Sequence, residues 1–173
     1  KYFLGNIMLK NFHKAALILS FTSSILLTGC NDNNKSEKPK IVYDEVQMPY
    51  NGESRVYTSS ERIAPFTIKT SGSDSYFVKL KDVYTNETIM DIFVRGGNTV
   101  ETDVPLGTYR IEYATGEKWY GYQHLFGERT GYSKTDQSLN FRQDYNGVSG
   151  FTISLYKVAN GNLQTSYLNP SNF

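Results

Sequence analysis

Gly107-Thr108-Tyr109-Arg110-Ile111-Glu112-Tyr113 decides the class of this protein. Tyr109, Ile111 and Tyr113 alternate with Thr108, Arg110 and Glu112. Successive side chains of an extended chain point to opposite faces, so this run reads as a strand with an apolar, buried face and a polar, solvated one. Similar runs flank it: 76–83, with Val78 and Leu80 inward; 89–95, with Met90, Ile92 and Val94 together; and 151–158, with Phe151, Ile153 and Leu155 together. Weaker strands are expected over 55–58, 66–70, 99–104, 138–142 and 163–168. From Ile41 onward no stretch keeps apolar residues at i, i+3, i+4 and i+7 for three turns, which excludes a helical domain.

Between the runs stand residues that tolerate the backbone of tight turns: Tyr84-Thr-Asn-Glu87, Arg95-Gly-Gly-Asn98, Pro105-Leu-Gly107, Ala114-Thr-Gly-Glu117, Asn146-Gly147 and Asn160-Gly161. Strands about eight residues apart with such turns predict an all-β fold, a small antiparallel β-sandwich over residues 41–173. The fourteen tyrosines and 14% aromatic content agree, since aromatic side chains favour strands. A single cysteine excludes an internal disulfide framework, so the core alone must stabilise the domain.

The segment Val104-Pro-Leu-Gly-Thr-Tyr-Arg-Ile111 resembles the Pro-x-Gly-x-Tyr-x-hydrophobic strand opening of carboxypeptidase-regulatory, transthyretin-like and PEGA-type domains. That resemblance spans about one hairpin and implies an extracytoplasmic sandwich, immunoglobulin-like or transthyretin-like, without catalysis of its own. Glu61-Arg-Ile-Ala-Pro65, Phe93-Val-Arg-Gly-Gly97, Lys118-Trp-Tyr-Gly121, His124-Leu-Phe-Gly127 and Gly131-Tyr-Ser-Lys134 are together similar to bacterial lipoprotein and prophage-associated proteins, a resemblance that brings no activity with it.

Residues 1–29 read as an export signal. Lys10, His13 and Lys14 form a positive stretch, and the apolar run from Ala15 to Leu27 is too short and too rich in hydroxyls to span a bilayer. Met8, just upstream of the basic residues, is the expected start of translation. Leu27-Thr28-Gly29-Cys30 then resembles the bacterial lipobox, which implies that the Cys30 thiol accepts diacylglycerol, that cleavage leaves it as the N-terminus, and that palmitate or a similar chain follows. Each buried methylene contributes about 0.8 kcal/mol, so two or three acyl chains would tether the domain to the membrane without spanning it. Asn31 follows the cysteine where an Asp would imply inner-membrane retention, so the outer membrane is favoured if the organism is Gram-negative. Residues 30–40 contain no apolar residue after Cys30 and read as a flexible linker.

The overall charge of +1 includes Lys1, Lys10 and Lys14 of the signal; the remainder holds 15 basic and 17 acidic residues, about −2, which argues against nucleic acid as a partner. His124 is the only histidine after the signal. With no Cys or second His near, it supports neither a zinc site nor, without a nucleophile elbow around Ser133 or Ser138, a serine triad. The acids are scattered over separate segments and do not mark a glycosidase pair. Arg95-Gly-Gly97 and Gly127-Glu-Arg-Thr-Gly131 lack the following helix that phosphate binding needs. No cofactor, metal or enzymatic activity is therefore expected.

The most distinctive local feature is the aromatic group Trp119, Tyr120, Tyr122, Phe126 and Tyr132, with His124 among them, in the longest stretch without alternation, 116–137. These residues fit two roles. They could cap one end of the sandwich beneath a long loop, or they could form an exposed platform, since Trp and Tyr offer a rigid face with a polar tip for a sugar ring or a protein. The resulting expectation is a lipid-anchored cell-envelope protein acting as a non-enzymatic interaction or accessory module. The alternative is a glycan- or peptidoglycan-binding module, less readily a glycan-processing one, using Trp119, Tyr120, Tyr122, His124 and Tyr132.

Overall fold

A computed structural model describes residues 42–155 and 163–173, so the signal, Cys30, the linker and the Asn160-Gly161 turn lie outside the described residues. In chain order the strands are β1 (Ser54–Val56), β2 (Arg62–Thr70), β3 (Ser75–Asp82), β4 (Thr88–Val94), β5 (Thr99–Pro105), β6 (Gly107–Gly116), β7 (Gly131–Thr135), β8 (Leu139–Phe141), β9 (Gln143–Asp144), β10 (Gly147–Val148), β11 (Phe151–Leu155) and β12 (Thr165–Tyr167). Single turns of 3-10 helix occupy Gly127–Arg129 and Pro170–Asn172. Among the described residues the domain is all-β.

The larger sheet runs β1-β4-β3-β6-β7-β12, with β8 also on β6. The smaller runs β11-β2-β5, and β9 and β10 form a separate ribbon. Alternation explains how the two sheets meet. Val78 and Leu80, Met90, Ile92 and Val94, Tyr109 and Ile111 line one face of the larger sheet, while Ala64, Phe66, Ile68, Val100, Val104, Ile153 and Leu155 line the facing side of the smaller. These form one buried cluster, so the sheets pack face to face as a sandwich. Phe141 from β8 joins it, meeting Phe66 edge-on at 5.6 Å and Phe151 at 4.8 Å.

The turns form for the reasons their residues suggest. Asp82 accepts from the backbone N–H groups of Tyr84 and Thr85 at 2.8 and 3.0 Å, and Asn86 takes a positive φ of 60° to bring β4 back beside β3. Gly96 is required by space: a Cβ there would lie 2.5 Å from the Ser73 backbone oxygen.

Four expectations need correction. The sandwich is not wholly antiparallel, because β11 runs parallel to β2, Phe151 opposite Phe66 through Leu155 opposite Thr70. The expected turn at Ala114-Thr-Gly-Glu117 begins later, since β6 continues to Gly116, paired with β3 to that residue and with β7 as far as Thr115. The stretch 116–137 contains β7, which pairs with β6. Finally, the polar face of β6 is not uniformly wet: Glu112 is 2% exposed.

Candidate interaction site

The outer face of the larger sheet, away from the sandwich core, is where this protein departs from a simple two-layer fold. At one end it is apolar. Phe77, Phe93 and Ala114 point outward from β3, β4 and β6 and form a second buried cluster with Trp119, Leu125 and Phe126 of the long loop after β6. The loop is fixed over them by backbone hydrogen bonds from Tyr120 N to Leu125 O and from Leu125 N to Gly121 O, both 2.7 Å. Leu125 accepts a left-handed φ of 49°, unfavourable for a non-glycine residue, in exchange for burial. The segment before β1 closes the same end. Val46 N donates to Trp119 O at 3.0 Å, and the Arg95 guanidinium donates to the Pro49 and Met48 carbonyls at 2.8 and 2.9 Å.

Beyond the aromatics, a row of charges crosses the sheet in register: Arg55 on β1 beside Asp91 on β4, Asp91 beside Lys79 on β3, Lys79 beside Glu112 on β6, and Glu112 beside Lys134 on β7. Opposite charges directly across strands attract, but among these neighbours only Arg55 and Asp91 close as an ion pair; Glu112 pairs instead with Arg110 of its own strand. Burial is uneven along it. Asp91 and Glu112 are buried carboxylates, Lys79 is half-buried, and Arg55 is exposed.

At the β1 end the row becomes a patch. Arg55 holds both Asp91 oxygens, Nε at 3.0 and 3.1 Å and Nη2 at 2.8 Å, and Tyr57 donates its hydroxyl to the same carboxylate at 2.6 Å. The guanidinium lies 3.8 Å from the centre of the Tyr122 ring, whose hydroxyl donates to Glu53 at 2.7 Å. Charge-assisted bidentate bonding and ring stacking together leave these side chains little freedom. Burial, and then the hydrogen bond to Glu53, push the Tyr122 hydroxyl up to about 12. Burial and the bond to Asp91 likewise raise Tyr57 above its ordinary value. Both stay protonated donors near neutral pH, so the patch offers no phenolate nucleophile.

At the other end the chain folds back. Phe173 sets its ring 5.3 Å from that of Tyr132 and 6.2 Å from that of Phe77, and its backbone oxygen accepts from Lys79 Nζ at 2.6 Å. Burial, followed by the neighbouring charge of Lys81, lowers the Lys79 ammonium below its ordinary value. Arg110 holds Glu112 Oε1 through Nε at 3.0 Å and Nη2 at 2.9 Å, while the buried Oε2 has no hydrogen-bond partner among the described residues.

No family model, curated protein or solved structure matches this chain. The site is accordingly read from its own geometry.

The aromatic residues singled out from the sequence separate into different roles. Trp119 is 2% exposed and offers no face to a sugar, which corrects its place in the platform. Its ring instead packs edge-on against Phe93, Tyr122 and Phe126 at 5.0 to 5.3 Å. Tyr120 is half-buried beside Tyr43. His124 is exposed, stacked on the Tyr43 ring at 4.4 Å, and Tyr132 is half-buried under Phe173. Only Tyr122 reaches the patch. The loop caps the outer face of a sheet, not an end of the sandwich. Arg55, Tyr57, Asp91, Glu53, Lys79 and Phe173 carried no distance signal in the sequence. Their one trace is the charge at outward positions of strands whose other face is apolar.

Proposed function

We propose that this chain is a lipid-anchored protein of the cell envelope whose β domain works as a non-enzymatic interaction module, docking a protein partner at the β1 edge of the larger sheet. The observation that carries the reading is the patch of Arg55, Tyr57 and Tyr122. Arginine and tyrosine are the side chains most often found as binding hot spots, and here they are exposed yet held rigid by buried Asp91 and by Glu53. Less conformational entropy is then lost when a partner seats on them. The address rests on the resemblance of Leu27-Thr28-Gly29-Cys30 to a lipobox, followed by a linker that keeps the domain clear of the lipid.

Two experiments test the two halves of this reading. For the anchor, Cys30→Ser is expected to abolish acyl labelling and membrane retention; a variant still labelled and retained overturns it. For the docking surface, a photoreactive residue replaces Tyr57 in one strain and Tyr145, 96% exposed in the β9–β10 turn, in another. A discrete adduct is expected at Tyr57, absent at Tyr145 and lost on Arg55→Ala. Equal adducts at both positions, or none at Tyr57, overturn the reading. Should the Tyr57 adduct be to peptidoglycan, the partner is a glycan and not a protein.

A further inference from the structure

The notch that Phe173 fills has the composition of a binding slot. Phe77, Ala114 and Tyr132 stand in register on β3, β6 and β7. Neighbouring strands lie about 4.8 Å apart, so the two rings rise from backbones roughly 10 Å apart with only a methyl group between them. That gap accepts one further aromatic ring, and Phe173 supplies it. Lys79 serves the occupant twice, standing 4.0 Å from the centre of the Phe173 ring and donating to its backbone oxygen at 2.6 Å. In the next row along the same strands lies Glu112, whose carboxylate is held by Arg110. The notch therefore offers two things at once: a ring-wide gap and an ammonium donor for an oxygen of the occupant.

The occupant sits on a short strap. Residues 169–173 form a strap whose only regular element is the Pro170–Asn172 turn, which contains no buried residue and is capped by the Asn169 side chain accepting from Ser171 N. The strap is rooted at Leu168, which is buried and donates its backbone N–H to Tyr132 O at 3.2 Å.

We propose that the notch is a receiving slot for an aromatic residue of a partner polypeptide, and that the strap is its built-in competitor. The incoming ring would replace that of Phe173 between Phe77 and Tyr132, and its backbone oxygen would take the Lys79 donor. A polypeptide is taken as the occupant because the ring now seated in the slot is carried by a stretch of chain, Asn169 to Phe173. The proposal rests on the interaction-module reading and names the part of the partner that the slot takes.

The test uses the full chain in detergent micelles, with acetyl-Ser-Asn-Phe as probe and acetyl-Ser-Asn-Ala as control, titrated by calorimetry. Phe173→Ala is expected to bind the Phe-ended peptide at least tenfold more tightly than the wild type does, and more tightly than it binds the Ala-ended one. Adding Lys79→Met is expected to remove most of that gain. A Phe173→Ala chain with wild-type circular dichroism that binds both peptides equally poorly overturns the proposal. If Phe173→Ala does not fold, hydrogen exchange on the wild type decides instead. The strap amides should exchange at least tenfold faster than those of β6, and exchange in step with β6 overturns the proposal. Loss of the Tyr57 adduct with peptide binding intact sinks the docking surface alone; the reverse sinks the slot alone.

Discussion

Arg55 and Asp91 form one ion pair with two unequal ends, since the arginine side chain is 42% exposed and the aspartate side chain 4%. Removing the arginine strands a buried carboxylate with only the Tyr57 hydroxyl to satisfy it, whereas removing both leaves nothing unpaired but a surface tyrosine. Breaking a buried pair costs about 3–5 kcal/mol, and water reaching the exposed end lowers that, so Arg55→Ala is expected to cost about 2 kcal/mol in urea unfolding. The double variant Arg55→Ala/Asp91→Ala is expected to recover part of the loss, and strict additivity in the cycle would show that the two residues are not coupled. Tyr122 gives a pH signature. Its hydroxyl is pushed up in the fold from the ordinary tyrosine value of 10.0, which the unfolded chain is expected to keep, to about 12. Between those values the unfolded chain loses the proton while the folded one keeps it, so stability falls as pH rises through that window. Tyr122→Phe removes this contribution, and its urea midpoint is expected to decline less steeply from pH 10 to 12 than that of the wild type. An unchanged slope would mean the hydroxyl is not protected. Lys79 acts in the opposite direction. Its value is lowered by burial from 10.5, so on approach to pH 10.5 the folded state sheds its proton first and stability gains.

The end of β6 and the loop it leads into depend on one another through a missing side chain. A Cβ on Gly116 would stand 2.5 Å from Phe126 Cβ and 2.8 Å from its Cγ, so Gly116→Ala must lift the loop that carries Trp119. Overpacking of this kind costs about 1–3 kcal/mol, and the expected readout is a red shift in the emission of Trp119, the single tryptophan of the chain. An unshifted spectrum would show that the loop yields elsewhere. The same elements show what the sequence could and could not reveal. β3, β4 and β6 were legible because Val78 and Leu80, Met90 and Ile92, Tyr109 and Ile111 keep period two over a full strand length. β7, Gly-Tyr-Ser-Lys-Thr, was not legible, because its buried Thr135 is polar and its outward Tyr132 is apolar, the reverse of a half-buried strand. Covering by Phe173 and the outer cluster inverts the pattern there. Phe77 and Phe93 carried the only advance sign, as aromatics interrupting the polar face of their strands. The patch and the strap stayed hidden for a different reason: they join residues 34 to 94 positions apart, and distance of that kind is a property of topology. Parallel pairing of β11 with β2 is equally silent, since alternation does not encode strand direction.

On the scale of the whole molecule, the larger sheet is packed on both faces, against the smaller sheet through one cluster and against the loop and the 43–50 segment through another. The two packings differ in kind. The inner cluster joins strands paired along their length, while the outer one is closed by a loop whose backbone bonds are mostly local, such as His124 N to Gly121 O and Gly127 N to His124 O. Regions closed in that way open at lower free energy than the sheets beneath them. Trp119→Ala and Phe66→Ala separate the two layers, because each truncates a buried aromatic at a nominal cost of about 3–5 kcal/mol, yet in different clusters. For Phe66→Ala that cost falls on a domain of about 5–15 kcal/mol total stability, and amide exchange is expected to quicken everywhere together, the loop included. For Trp119→Ala the amides of Tyr120, His124 and Leu125 are expected to lose protection while those of β3 and β6 keep most of theirs. If Trp119→Ala instead quickens the sheets as much as the loop, the outer layer is an inseparable part of the fold. In that case a strap or loop on this face could not move independently to admit a partner, and docking would be confined to the rigid Arg55, Tyr57 and Tyr122 patch.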